Sequence, residues 1–166
     1  VGPEFPLIVR MNGNDFMPAG QSRRELQRYA LALVDQASVD ALSINVGWHE
    51  ARVPQITTAV PRGAFAYLAR DIKHQVSVPV IYGHRVNDPR TARELLADDM
   101  CDMVAMGRSL IADPRLPAKA QNRTEEDIVH CVACAQGCFD NLFRLKSVEC
   151  LCNPAAGHEA VCRLSP

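Results

Sequence analysis

The stretch "VPVIYGHRVNDPRTARELLADDMCDMVAMGRSL", residues 78–110, decides the fold. A short apolar run, VPVIYG, gives way to polar loop residues. Asp88 and Pro89 then open a segment of helical period, DPRTARELLADDM, and a second apolar run, CDMVAMG, closes the unit. Aspartate is a strong N-cap, and proline fits the first helical position, where its missing N–H costs nothing. Strand, helix and strand in this order predict a βαβ unit, whose two strands run parallel.

Upstream the same alternation continues. PLIVRM reads as a strand, and SRRELQRYALALVDQA as a helix in which Ser22 and Glu25 form a capping box. DALSINVG is the second strand and PRGAFAYLARDIKHQV the helix after it. Four strand–helix units thus precede residue 113. No G-x-G-x-x-G follows the first strand, which argues against a dinucleotide-binding version of such a sheet. The polar residues collect just after strand ends instead: Arg10, His49 with Glu50, Arg85 with Asn87, and Arg108. Chemistry sits there in a (β/α)8 TIM barrel, which needs ~250 residues. The expected fold is therefore α/β: half of such a barrel over residues 1–122, with an appended segment over 123–166.

Composition narrows the function classes. The 166 residues are enough for one domain with a sizeable core, and 48% are hydrophobic against 22% charged, as in ordinary globular proteins. Basic and acidic residues number 18 and 19 and are mixed along the chain, so neither nucleic acid nor an anionic membrane is an expected partner. No apolar run approaches the ~20 residues that cross a bilayer, and no secretory leader pattern opens the sequence. A cytoplasmic location is expected. The opening VGPEFPLIVRMNG does not begin with a methionine and reads as cut from something longer.

The appended segment holds HCVACAQGCFDNLFRLKSVECLCNP, residues 130–154, with Cys131, Cys134, Cys138, Cys150 and Cys152; the remaining cysteines are Cys101 and Cys162. An odd count and a βα body argue against a disulfide framework. Structural zinc usually sits between two tight C-x2-C-like knuckles, whereas here three cysteines crowd into eight residues and the next lies beyond a long loop. A C-x2-C-x3-C turn can wrap three corners of a 4Fe-4S cube while a distant cysteine closes the fourth. The spacing favours a cluster over zinc, with Cys150 or Cys152 as the fourth ligand. Cys101, at the start of a strand, is expected to be a buried small hydrophobe.

CVACAQGCFDNLFRLKSVECLCNP, together with INVGWHEARVPQITTAVPRGAF and VAMGRSLIADPRL, closely resembles the bacterial 2,4-dienoyl-CoA reductases. These are iron-sulfur flavoenzymes of the old yellow enzyme and trimethylamine dehydrogenase class. The resemblance implies an FMN-binding barrel, then a 4Fe-4S segment held by Cys131, Cys134, Cys138 and Cys150, then FAD- and NADPH-binding domains. It implies that Arg10 faces the flavin pyrimidine ring and that His49 polarises or protonates the substrate. It places the FMN phosphate against Gly83 and Arg85 in YGHRVND and against Gly107 and Arg108 in AMGRSL. His84 departs from the glycine or asparagine common at its position in relatives. Electrons from NADPH would pass through FAD and the cluster to FMN and then to an enoyl- or dienoyl-CoA substrate, as in fatty acid β-oxidation. The chain resembles only the last four barrel strands, so weak FMN binding and little turnover are expected of it alone. The rival expectation is a non-enzymatic zinc or iron-sulfur interaction module that self-associates through the strand edges at PLIVRM and DMVAMG.

Overall fold

The structure, a computed structural model, describes residue 2 and residues 4–162. Residues 163–166 of the expected appended segment lie outside the described residues. Four strands, β1 (Ile8–Asn12), β2 (Ala41–Asn45), β3 (Val80–Tyr82) and β4 (Met103–Val104), form one sheet in the order β1-β2-β3-β4. All three pairings are parallel. Consecutive strands lying side by side, with a helix after each of the first three, give an arc of a βα barrel, as the alternation predicted. The helices are α1 (Arg23–Ala37), α2 (Ala66–Lys73), α3 (Pro89–Ala97), α4 (Arg108–Ala112) and α5 (Leu116–Gln121).

Helix starts follow local chemistry. At α1 the Ser22 N–H donates to the Glu25 carboxylate at 2.8 Å, while the Ser22 hydroxyl accepts from the Glu25 N–H. At α3 the buried Asp88 carboxylate accepts from the Thr91 N–H at 2.8 Å and the Thr91 hydroxyl at 2.9 Å, and pairs with Arg62. Such caps are each worth ~1 kcal/mol. The start of α2 differs from the sequence reading. The helix begins at Ala66 rather than Pro61, because Gly63 takes a left-handed φ of 65° and Phe65 turns its ring onto Phe16, 5.5 Å away between ring centres.

The central strands are the most buried. Leu42, Ile44, Val80 and Tyr82 form the core with Leu68 and Ile72 of α2, Leu26 of α1 and Cys101, which is the buried hydrophobe expected. The outer strands are half covered: Ile8 on β1 is 55% exposed and Met103 on β4 is 43% exposed.

Beyond α5 the described residues have little regular structure, only a 3-10 turn at Glu125–Asp127, a π-helical turn at Gln136–Asp140 and the single turn α6 (Asn141–Phe143). Polar anchors hold it to the body instead. Buried Asp113 accepts from Lys119 Nζ at 2.6 Å and from the Val129 N–H at 2.9 Å. Asn87 donates to the Cys131 carbonyl at 2.7 Å, Asn153 to the Ile111 carbonyl at 2.8 Å, and the Thr58 hydroxyl to the Val132 carbonyl. Arg93 of α3 grips Glu125 with two hydrogen bonds.

Candidate functional site

Alternate residues of a strand share a face. The β1–β2 register sets Arg10 beside Ser43 and Asn12 beside Asn45, so these four polar side chains form one patch. Arg10 Nη1 donates to Ser43 Oγ at 3.2 Å and Nη2 to Asn45 Oδ1 at 2.9 Å. Asn45 Nδ2 in turn donates to Asn12 Oδ1, and Asn12 Nδ2 to Asp15 Oδ1, both at 2.7 Å. This chain of bonds orients a guanidinium that is itself exposed. Arg10 lies inside its strand rather than at the end, because β1 continues to Asn12.

Arg10, Asn12 and Asn45 of this patch form one wall of a cleft of about 800 Å³. His84, after β3, also lines it, and the loop after β2 contributes Trp48 and His49. Phe139 and Phe143 of the cysteine segment close the other side. His49 Nε2 lies 3.1 Å from Glu50 Oε1, and its ring centre is 5.9 Å from that of Phe143. Glu50 thus pairs with His49. His84 is pushed down to about 4, first by burial and then by the positive charges of Arg10 and Arg108, so its imidazole is neutral at neutral pH.

A second cavity adjoins the first and is lined by Cys131, Cys134, Cys138, Cys150 and Cys152, with Arg108 and Ile111 of α4. All seven cysteines are free thiols. Ala133 and Ala135, on either side of Cys134, take left-handed φ of 57° and 62°, a conformation costing an L-residue roughly 1–2 kcal/mol. The Ala133 N–H donates to Cys131 Sγ at 3.4 Å. Gly137 is needed for closure, since a Cβ there would meet the Glu149 carbonyl oxygen at 2.5 Å. Among the described residues no three His, Cys, Asp or Glu side chains could hold one metal ion together. Zinc with Zn–S bonds of ~2.3 Å would need thiolates roughly 3.8 Å apart. The five cysteines line one cavity without forming such a group. Burial raises the pKa of the Cys152 thiol, and the neighbouring Cys150, Cys131 and Cys134 add to the rise.

The residues expected to hold a phosphate divide. Arg108 Nη1 is buried with no hydrogen-bond partner among the described residues, and its guanidinium lies 5.9 Å from the Phe139 ring centre. A Cβ on Gly107 would meet nothing within 4 Å, so that backbone is open to close approach. An anion beside Gly107 and Arg108 would fit both observations. Arg85 behaves otherwise: with φ of 55° it is buried and its Nε donates to the Val60 carbonyl at 2.8 Å. Gly83 has a structural reason of its own, because a Cβ there would lie 2.8 Å from the Ala105 carbonyl oxygen on the neighbouring chain path. Arg10 and His49 therefore share the large cleft, Arg108 lines the cysteine cavity, and Arg85 and Gly83 line neither.

Sequence reasoning missed Phe139 and Phe143. Their signal was the four-residue spacing within the cysteine segment, which puts both rings on one face of a helical turn. It also missed Asn12 and Asn45, which alternate with apolar residues on β1 and β2.

Residues 1–127 match the NADH:flavin oxidoreductase / NADH oxidase family. A metal reductase of Desulforamulus reducens is 48% identical over the whole chain, and an NADH oxidase of Thermoanaerobacter brockii is 32% identical over 97% of it. A cinnamate reductase of Clostridium sporogenes is 30% identical over 95% of the chain. The chain spans about a quarter of the length of each of these relatives. Among solved structures, a 2-naphthoyl-CoA reductase bound to 2-naphthoyl-CoA superposes with a TM-score of 0.91 at 35% identity, over 95% of this chain and 24% of that one. No helix among the described residues is long and apolar enough to cross a membrane.

Proposed function

Because the chain belongs to the NADH:flavin oxidoreductase / NADH oxidase family, we propose that residues 1–122 form one side of an FMN site and residues 123–166 hold a 4Fe-4S cluster. Together they are part of a reductase of carbon–carbon double bonds conjugated to a carbonyl. One observation carries this reading: a single cleft has the Arg10 guanidinium on one wall and Phe139 and Phe143 of the cysteine segment on the other. A flavin lying on Arg10 would be a near neighbour of whatever the cysteines hold.

Bound FMN would supply hydride to the substrate, and a cluster on Cys131, Cys134, Cys138 and Cys150 would deliver it electrons from NADPH by way of FAD. The protein's own groups have separate tasks. Arg10, oriented by Ser43 and Asn45, offers a fixed cation against the electron-rich edge of a reduced ring. Arg108 and the open backbone at Gly107 receive a phosphate. His49, at the rim, has an imidazole able to hydrogen-bond a carbonyl or pass a proton, with Glu50 to orient it.

Cinnamate and 2-naphthoyl-CoA, named for two of the similar proteins, both conjugate unsaturation to a carboxyl-level carbonyl. That shared chemistry supports the conjugated-alkene class, and a 2,4-dienoyl-CoA is the specific substrate we propose within it. The test is anaerobic reconstitution of the chain with ferrous iron, sulfide and FMN. Broad visible absorbance with acid-labile sulfide, plus quenching of flavin fluorescence, is expected. A colourless protein that retains only zinc would overturn the reading.

A second reading keeps the cysteine centre but makes the chain an interaction module. Its support is the exposure of Ile8 and Met103 on the two outer strands, where another strand could pair. Concentration-dependent dimerisation abolished by charged substitutions at Ile8 and Met103 would favour it.

A further inference from the structure

The cysteine cavity offers five thiols where a four-cornered cluster needs four. We infer that Cys152 is a fifth ligand-competent thiol of this site, able to take the place of Cys150. The inference rests on the proposed cluster and extends it to a residue that the resemblance leaves without a role.

The local geometry carries it. Cys150 and Cys152 are separated by one residue, and both line the same cavity as Cys131, Cys134 and Cys138. Leu151 between them is 69% exposed, and the chain bends at Leu151 and Cys152, where the Asn153 N–H reaches back to the Cys150 carbonyl at 3.4 Å, so the two cysteines sit on one turn with Leu151 outward. The short segment is held at both ends. On one side the Glu149 N–H donates to the Gly137 carbonyl at 2.8 Å, and the absence of a side chain on Gly137 lets the two backbones meet. On the other side Asn153 donates to the Ile111 carbonyl at 2.8 Å. Anchors at residues 149 and 153 bracket both cysteines, so either sulfur stays on the cavity without rebuilding the tail.

The exchange would be one thiolate for another as fourth ligand of the cluster. The departing sulfur takes up a proton, the arriving one releases a proton, and no electron changes hands. Loss of Cys150 to oxidation or alkylation would then leave four thiolates rather than three.

The test uses the full chain, reconstituted anaerobically with ferrous iron and sulfide, and compares wild type with C131A, C150A, C152A and the double variant C150A/C152A. Alanine is chosen because a serine oxygen could itself bind iron. Wild-type uptake of iron and sulfide tests the underlying cluster reading, and its failure would remove that reading along with this one. Given wild-type uptake, C150A and C152A are each expected to keep iron and sulfide at the wild-type ratio. C150A should show an altered electron paramagnetic resonance spectrum in the reduced state. C131A and the double variant should retain iron at least ~10-fold less well, the lower end of what even an outer-shell change costs a metal site. Far-ultraviolet circular dichroism of each apoprotein separates ligand loss from misfolding. If C150A loses the cluster as fully as C131A while folded, or if the double variant keeps it, the inference is wrong.

Discussion

The side-chain amide of Asn87 donates a 2.7 Å hydrogen bond to the carbonyl of Cys131, tying the loop after β3 to the first cysteine of the tail. Asn87 is buried and Cys131 half-buried, so the bond is partly shielded from water. Removing one partner of a buried hydrogen bond costs about 1–3 kcal/mol. Asn87→Ala is therefore expected to loosen the tail while leaving the sheet intact. Amide hydrogen exchange should speed up across residues 129–134 and not in β2. Equal acceleration in both would show that the bond stabilises the whole body.

His84 predicts a pH dependence. Its ordinary pKa of 6.5 falls to about 4 in the folded chain. Between these values the unfolded state binds the proton and the folded state does not, so stability rises with pH across this window. The contribution is fully present above 6.5 and fades as pH falls toward 4. His84→Asn should flatten that part of the curve of urea midpoint against pH. An unchanged slope would mean that His84 is not sheltered as described.

The two glycines expected at the phosphate site should behave oppositely. Gly83→Ala pushes a Cβ to 2.8 Å from the Ala105 carbonyl oxygen and should cost ~1–3 kcal/mol by overpacking, visible as a lower melting temperature without any ligand. Gly107→Ala meets only open space and should leave the melting temperature almost unchanged. Its effect should appear in FMN titration, as a weaker Kd. Destabilisation by Gly107→Ala with unchanged FMN affinity would remove Gly107 from the phosphate site.

His49 is exposed at the cleft rim, so His49→Ala should leave the fold undisturbed. In a preparation that reduces a conjugated enoyl thioester, turnover should drop by ~100-fold or more, as for loss of a general acid. FMN occupancy should hold. Parallel loss of both would make His49 a flavin-binding residue instead.

Much of the body was legible in the sequence because its signals are local. Ser22 with Glu25 and Asp88 with Pro89 fix helix starts within a few residues, and apolar runs of strand length fix the parallel order. The start of α2 was not legible, since the turns at Gly63 and Phe65 are settled by packing against Phe16. Arg85 shows the limit most clearly. Sequence position puts it among the residues after strand ends, but a left-handed backbone turns its side chain inward to Val60, and nothing in an arginine announces such a turn. The left-handed alanines beside Cys134 are equally silent, because alanine has no preference for that conformation. The cysteine spacing was plain, but the spread of five thiols around one cavity required the anchors at Gly137, Ile111 and Asn87.

Those anchors also set an order of assembly. The bonds that dock the tail span long stretches of chain: 44 residues from Asn87 to Cys131, 42 from Ile111 to Asn153, and 74 from Thr58 to Val132. All three bonds land on the βα body, at Ile111, Asn87 and Thr58, and they are polar contacts at positions that the packed sheet and its loops must already hold in place. The sheet is thus the template and the cysteine segment the late arrival. During that interval the thiols remain reachable, and it is then that any inorganic core would have to be delivered.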